Sequence, residues 1–126
     1  MPVATFESED RFELKSVEGA YIILRRMSYG QKLERQGAAS KMQILMQRNS
    51  KDIKGEIDTM ILKSTLYDFR ICVVSHNLEK KVGDSTVLLD LTQPGDVAVL
   101  HPRVGEEIAT LIDKMNNFED DDEVGN

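Results

Sequence analysis

The pattern of apolar and polar positions begins with two short stretches typical of strands. Apolar and charged side chains alternate over residues 12–15, and residues 20–24 are rich in strand-forming side chains. Glu18 and Gly19 lie between the two stretches. This arrangement predicts an N-terminal β-hairpin. Its turn type stays open, because the connection is longer than two residues.

Two helices are predicted next. Ser28 and Gln31 have the spacing of a capping box, in which each side chain bonds the main-chain amide of the other residue. A longer helix is predicted from about residue 53, because apolar side chains recur at helical intervals as far as His76 and Asn77. Asn77 would end this helix in the left-handed conformation.

The C-terminal third has a weak pattern followed by a clear one. Residues 78–83 are interpreted as a charged connector and residues 86–91 as a strand or an extended segment. A short helix is predicted over residues 96–100, with Thr92 as its N-cap and Pro94 in its first turn. From Pro102, a single apolar stripe with helical spacing predicts a last helix that packs by one face. Its apolar positions are Val104, Ile108, Leu111, Ile112, Met115 and Phe118.

These elements predict an α+β fold, in which an N-terminal β-hairpin precedes a predominantly helical domain of three to four helices. At 126 residues the chain has the length of one domain, which we place at residues 1–118. Residues 119–123 are all acidic. We expect a flexible acidic tail over residues 119–126, because like charges repel and the segment has little apolar surface to bury.

Composition narrows the classes of partner. The net charge of −6 makes nucleic acid a poor default partner, because phosphate backbones repel an acidic chain. No apolar run reaches the roughly 20 residues of a membrane-spanning helix, and the charged start lacks the features of a signal peptide. Cys72 is the single cysteine, which suits a reducing compartment and a buried, inert thiol. We expect a cytoplasmic protein that binds neither membrane nor nucleic acid.

Residues suited to catalysis or cofactor binding are sparse. Cys72 and His76 are four residues apart, but no second pair completes a tetrahedral metal site. The glycines form no phosphate-binding loop, and the acidic residues 119–123 lack the spaced ligands of an EF-hand. We therefore expect a protein that is not an enzyme and binds no cofactor or metal.

Arg25 and Arg26 head the one basic concentration in the chain, which suggests a surface for an acidic partner. An alternative interpretation is that one arginine pairs with a nearby acid such as Glu13 or Glu34, while the other is solvated.

Short motifs occur in three groups along the chain. The chain carries FELK at 12–15 with LRRMSYGQKL at 24–33, then LYDF at 66–69 with VSHNL at 74–78, and finally DV at 96–97, HPRVGEEI at 101–108 and NNFE at 116–119. Their order and spacing resemble the short tail assembly chaperones of long-tailed bacteriophages (siphophages). One departure is His101, where we expect an acidic N-cap before Pro102; a histidine there should weaken the cap.

The resemblance implies a protein of the host-cell cytoplasm that acts during tail morphogenesis. Such a protein binds the tape measure protein, keeps it soluble, helps to recruit tail tube subunits and is absent from the mature virion. Self-association is a further candidate interaction. Many such chaperones are made in two lengths by a programmed frameshift, and this chain would then be the shorter product.

We place the partner-binding surface on the apolar flank of the long helix near Tyr67 and Ile71, with Arg25, Arg26 and Tyr29 as a second region. An apolar groove or helix face suits a long apolar partner, and an acidic exterior would keep the complex dissolved. Two alternatives stay open. One is a structural virion component, such as a head-tail connector or tail-completion protein; the other is a small regulator that binds host protein or nucleic acid through the arginine pair.

Overall fold

The computed structural model describes residues 8–37 and 53–116, and these residues form a mixed α+β fold. Strand β1 spans Glu9–Glu13, β2 spans Tyr21–Arg25 and β3 spans Val73–His76. They form an antiparallel sheet in the order β1-β2-β3, with Phe12 opposite Ile22. The predicted N-terminal hairpin is thus confirmed, although β1 begins and ends earlier than residues 12–15.

The hairpin connection closes through its main chain and through a distant asparagine. The Leu14 amide donates to the Ala20 carbonyl at 2.9 Å, and Gly19 takes the left-handed conformation, with a φ of 78°. The Asn77 side chain accepts from the Tyr21 amide and donates to the Gly19 carbonyl, both at 2.9 Å. Asn77 therefore ties the turn of the hairpin to the strand that follows α2.

Helix α1, described over residues 29–37, begins at the predicted capping box. The Gln31 amide donates to the Ser28 hydroxyl at 3.2 Å, and the Ser28 amide donates to the Gln31 side-chain oxygen at 2.9 Å. Two amides that the first helical turn leaves without carbonyl partners are thereby satisfied.

Helix α2 spans Ile53–Cys72, so the prediction that it continues to Asn77 is wrong. Val73 begins β3 instead, and this strand pairs with β2 through Ile22 opposite His76 and Leu24 opposite Val73. Apolar spacing alone does not separate a buried strand from the end of a buried helix. The β-branched pair Val73 and Val74 favours the strand, and the exposed main chain of β2 supplies its hydrogen-bond partners.

A second hairpin follows, with β4 at Glu79–Val82 and β5 at Ser85–Leu88. It turns at Gly83, whose φ is 64°. The prediction of a charged connector over residues 78–83 is therefore wrong, and the segment 86–91 supplies most of a strand. Charged side chains are compatible with β4 because this two-stranded sheet lies at the surface, where Lys80 is its single half-buried residue.

Helix α3 spans Pro94–Ala98 and α4 spans Pro102–Asn116. Helix α3 has Pro94 in its first turn, as predicted, but its N-cap residue is Gln93 rather than Thr92, and it ends two residues before Leu100. The Pro102 start of α4 is confirmed. His101 accepts the Arg103 amide on its Nδ1 at 3.1 Å, so its imidazole provides the N-cap acceptor that was expected from a carboxylate.

The core lies between the three-stranded sheet, the C-terminal half of α2 and one face of α4. The predicted stripe of α4 is buried at Val104, Ile108, Ile112 and Met115 and half-buried at Leu111, while Phe118 and residues 119–126, where an acidic tail is expected, lie outside the described residues. The side chains that are buried almost completely are Ile22, Leu24, Phe69, Cys72, Leu91, Ile108 and Ile112. Burial of a side chain of this size contributes about 1.5–3 kcal/mol.

Candidate functional site

Arg25 and Ile71, two residues predicted to bind a partner, contact each other. The Arg25 Nε donates to the Ile71 carbonyl at 2.6 Å. That carbonyl belongs to the last turn of α2, where carbonyl groups lack helical partners. The Ile71 side chain packs against the core. Both residues therefore have a role within the fold, since the arginine caps the C-terminus of α2.

Arg25 pairs with neither of the two acids suggested for it, Glu13 and Glu34. The Glu13 carboxylate lies 3.1 Å from the guanidinium of Arg11, and the Glu34 carboxylate accepts from the hydroxyl of Tyr67. Arg26 is exposed immediately after β2.

Tyr67 lies between α1 and α2. Its hydroxyl donates to the Glu34 carboxylate at 2.7 Å and lies 3.3 Å from the Gln31 carbonyl, and the Arg70 guanidinium stands 5.5 Å from the ring centroid. Burial, reinforced by the neighbouring Glu34 carboxylate, raises the pKa of Tyr67 to about 12. The phenol therefore stays protonated and joins the two helices.

An ion pair adjoins this contact. The Arg35 Nε donates to the Asp68 carboxylate at 2.9 Å. Burial raises the pKa of Asp68 above its usual value, although the adjacent Arg35 guanidinium acts in the opposite direction. Polar contacts on the inner side of α1 thus hold that helix against α2.

Tyr29 is the predicted partner-binding residue with the largest exposed apolar surface. Its side chain is 78% exposed at the start of α1, and Leu33, one helical turn later, is 48% exposed. Of the five predicted residues, Arg25, Arg26 and Tyr29 are exposed, whereas Tyr67 and Ile71 are half-buried. The five residues therefore differ in how much of each side chain a partner could contact.

Cys72 and His76 are not an i, i+4 pair on one helix, because Cys72 ends α2 and His76 lies in β3. The thiol is fully buried, as expected, and burial raises its pKa to about 11. His76 accepts the Leu78 amide on its Nδ1 at 3.0 Å. Among the described residues, no group of three or more His, Cys, Asp or Glu side chains is arranged to hold a metal ion.

A cleft of about 650 Å³ lies among the described residues, and no local sequence pattern predicts it. It forms where the turn of the first hairpin, the β3–β4 connection and the corner between α3 and α4 come together. Its buried lining residues are Ala20, Leu78, Leu89 and Val104. Exposed valines, Val17 and Val99, also line it, at 38% and 63% exposure.

The wall of the cleft formed by β4 is fixed by an ion pair to α3. The Lys80 ammonium lies against the Asp96 carboxylate, which also accepts the Asp90 amide at 2.7 Å. The contact with Lys80, together with that amide, lowers the pKa of Asp96. The second hairpin is thereby held in place beside the cleft.

No protein-family model matches this sequence, and comparison with curated proteins and with solved structures finds no match. Within residues 8–37 and 53–116, no helix is both long and apolar enough to cross a membrane.

Proposed function

We propose that this chain is a phage tail assembly chaperone. It binds the tape measure protein in the host-cell cytoplasm, keeps that protein soluble, helps to recruit tail tube subunits and does not remain in the mature virion. The proposal rests on the ordered motifs at residues 12–33, 66–78 and 96–119, which resemble those of siphophage tail assembly chaperones.

Contacts between the motif groups support treating them as one pattern. The Asn116 side chain accepts the Met27 amide at 2.7 Å, the Glu107 carboxylate accepts the Lys15 amide at 2.7 Å, and the Tyr67 hydroxyl lies 3.3 Å from the Gln31 carbonyl. Each contact joins residues of two different motif groups. The motifs therefore belong to one packed unit, as a family pattern for a whole domain requires.

The surface is also compatible with the proposal. Large apolar side chains, including those of Tyr29, Leu62 and Val99, are exposed on a chain with a net charge of −6. Exposed apolar side chains favour contact with an apolar partner, and net charge keeps the resulting complex dissolved.

Co-expression tests the proposal. The tape measure protein of the same phage should be insoluble when it is made alone and soluble when it is made with this chain, and the two should purify together. An unrelated acidic protein of similar size, co-expressed in the same way, should leave the tape measure protein in the pellet.

Mass spectrometry of purified particles separates the chaperone from a structural virion component. A chaperone should be abundant in infected cells and missing from particles. If the chain occurs in particles at a fixed ratio to the tail proteins, and the tape measure protein stays insoluble beside it, the protein is a virion component.

A further inference from the structure

The end of α4 lies against the segment that leads into α1. The Asn116 side chain accepts the Met27 amide at 2.7 Å, and both residues are buried, so the contact is shielded from water. Arg26 is exposed immediately before Met27, and Ser28, immediately after it, caps α1. The chain beyond Asn116 therefore starts beside an exposed guanidinium and the N-terminal turn of a helix.

Positive charge is concentrated at this place. The guanidinium of Arg26 carries a full charge, and the first amides of α1 add the partial positive charge of a helix N-terminus. In the pairing of β1 with β2, Glu9 lies opposite Arg25, whereas Arg26 follows the last paired position. A group of carboxylates beside Arg26 and the start of α1 would therefore be stabilised.

The chain itself supplies such carboxylates at this end. The acidic run 119–123 begins three residues after Asn116. An extended chain spans at most about 3.6 Å per residue, so residue 119 stays within about 11 Å of Asn116 and residue 123 within about 25 Å. No other run of more than two consecutive acidic residues occurs in the sequence, and the segments 1–7 and 38–52 contain one acidic residue each. Length and charge together single out residues 119–123 as the counter-charge for this surface.

Attachment to the same chain favours this segment over a separate molecule. A short linker holds a tethered segment at an effective concentration in the millimolar range, which another copy at micromolar concentration does not reach. Each exposed ion pair contributes only about 0–1 kcal/mol. The contact therefore depends on the tether and on several carboxylates that share a small area, and it is readily reversed.

We infer that the acidic run 119–123 folds back onto Arg26 and the first turn of α1 and covers this basic surface until an acidic partner displaces it. Like charges alone predict a flexible tail, but a positive surface within its reach favours the contact. The tail then regulates access to Arg26, because an acidic partner has to compete with it. This inference does not depend on the proposed function.

Paramagnetic relaxation in the full-length chain tests the contact. A nitroxide is attached at Val124→Cys, since the Cys72 thiol is buried and does not react. The amides of Met27 and Ser28 should broaden more with the natural tail than with a neutral tail of the same length. The neutral tail carries Glu119→Gln, Asp120→Asn, Asp121→Asn, Asp122→Asn and Glu123→Gln.

Salt and single charge changes give the matched controls. At about 1 M salt, where the Debye length is about 3 Å, broadening with the natural tail should fall to the level of the neutral tail. Arg26→Gln should have the same effect, whereas Lys81→Gln, at an exposed position of β4, should leave the broadening unchanged. Equal broadening with the two tails at low salt, or broadening that salt does not reduce, would overturn the inference.

A synthetic peptide with the sequence of residues 117–126 is a second probe of the same surface. At low salt it should bind the neutral-tail chain roughly tenfold more tightly than the natural chain, whose own tail competes with it. Arg26→Gln in the neutral-tail chain should weaken this binding. Equal affinity for the two chains, or binding to neither, would overturn the inference.

A mixture of chains distinguishes the chain's own tail from that of a second copy. Isotope-labelled chain without a nitroxide is mixed with spin-labelled chain that carries no isotope. Broadening of Met27 and Ser28 only where isotope and nitroxide share one chain supports the inference. Equal broadening in the mixture would assign the surface to the tail of a second copy and overturn it.

Discussion

The side chain of Asn116, near the C-terminus of the described chain, accepts a hydrogen bond from the main-chain amide of Met27 at 2.7 Å. Asn116 is only 3% exposed, and its amide nitrogen donates to the Ile112 carbonyl at 2.9 Å and faces the Cys72 sulfur at 3.7 Å. One buried polar residue thus joins α4, the end of α2 and the segment between β2 and α1.

Replacing this residue should destabilise the fold. Asn116→Leu leaves the buried Met27 amide without a partner, at a cost of about 1–3 kcal/mol in the free energy of unfolding. Urea denaturation measures the difference. Lys114→Leu, at an exposed position of the same helix, is the control and should cost little. Equal stability of both variants would show that the Met27 amide does not depend on Asn116.

The apolar stripe of α4 should be essential for folding. Ile108 is fully buried in the core, so Ile108→Ala should reduce the free energy of unfolding by about 2–5 kcal/mol, and Ile108→Asp should unfold or aggregate the protein. Thr110→Ala, at an exposed position of α4, is the matched control. An Ile108→Asp variant with the wild-type melting temperature would contradict the packing described above.

His76 should make stability depend on pH. Burial lowers its pKa below the usual value of 6.5, against the opposing effects of the Leu89 main chain and the Asp90 carboxylate. The unfolded chain therefore takes up a proton before the folded chain does. Stability conferred by the neutral imidazole is fully present above pH 6.5 and should decline as the pH falls below that value.

Comparison with His76→Gln isolates this effect, because a glutamine can accept the Leu78 amide without titrating. The variant should lose less stability than the wild type between about pH 7 and pH 5. Parallel pH profiles for the two proteins would show that His76 does not cause the dependence.

His101 should contribute to stability as the N-cap of α4. His101→Ala removes the acceptor for the Arg103 amide and should cost about 0.5–2 kcal/mol, whereas His101→Asp supplies another acceptor and should retain most of the stability. Thermal unfolding of the two variants measures the difference. If alanine and aspartate behave alike, the imidazole nitrogen is not a significant cap.

The features predicted correctly from the sequence depend on contacts between near neighbours. The Ser28–Gln31 capping box spans three residues, and the stripe on α4 repeats within one helix, so both leave a local pattern. Strand β3 was mistaken for helix because its identity depends on pairing with β2, about 50 residues earlier in the chain. Local apolar spacing does not contain that information.

The contacts of the predicted binding residues likewise depend on residues that lie far away in the chain. Tyr67 and Ile71 lie on a half-buried flank of α2, and the sequence does not reveal that Glu34 and Arg25 already contact them. The cleft beside β4 is assembled from segments that lie far apart in the chain, each of which is unremarkable alone. The cleft exists only because β4 pairs with β5 and because α4 packs beside them, and a local sequence pattern contains neither fact.

The soluble fraction of the tape measure protein, measured with and without this chain in the same cells, tests the central claim most directly. The chaperone account predicts that most of the tape measure protein moves from the pellet to the supernatant and elutes together with this chain in size-exclusion chromatography. A tape measure protein that stays in the pellet at every ratio of the two proteins, while this chain remains folded and soluble, would contradict the account.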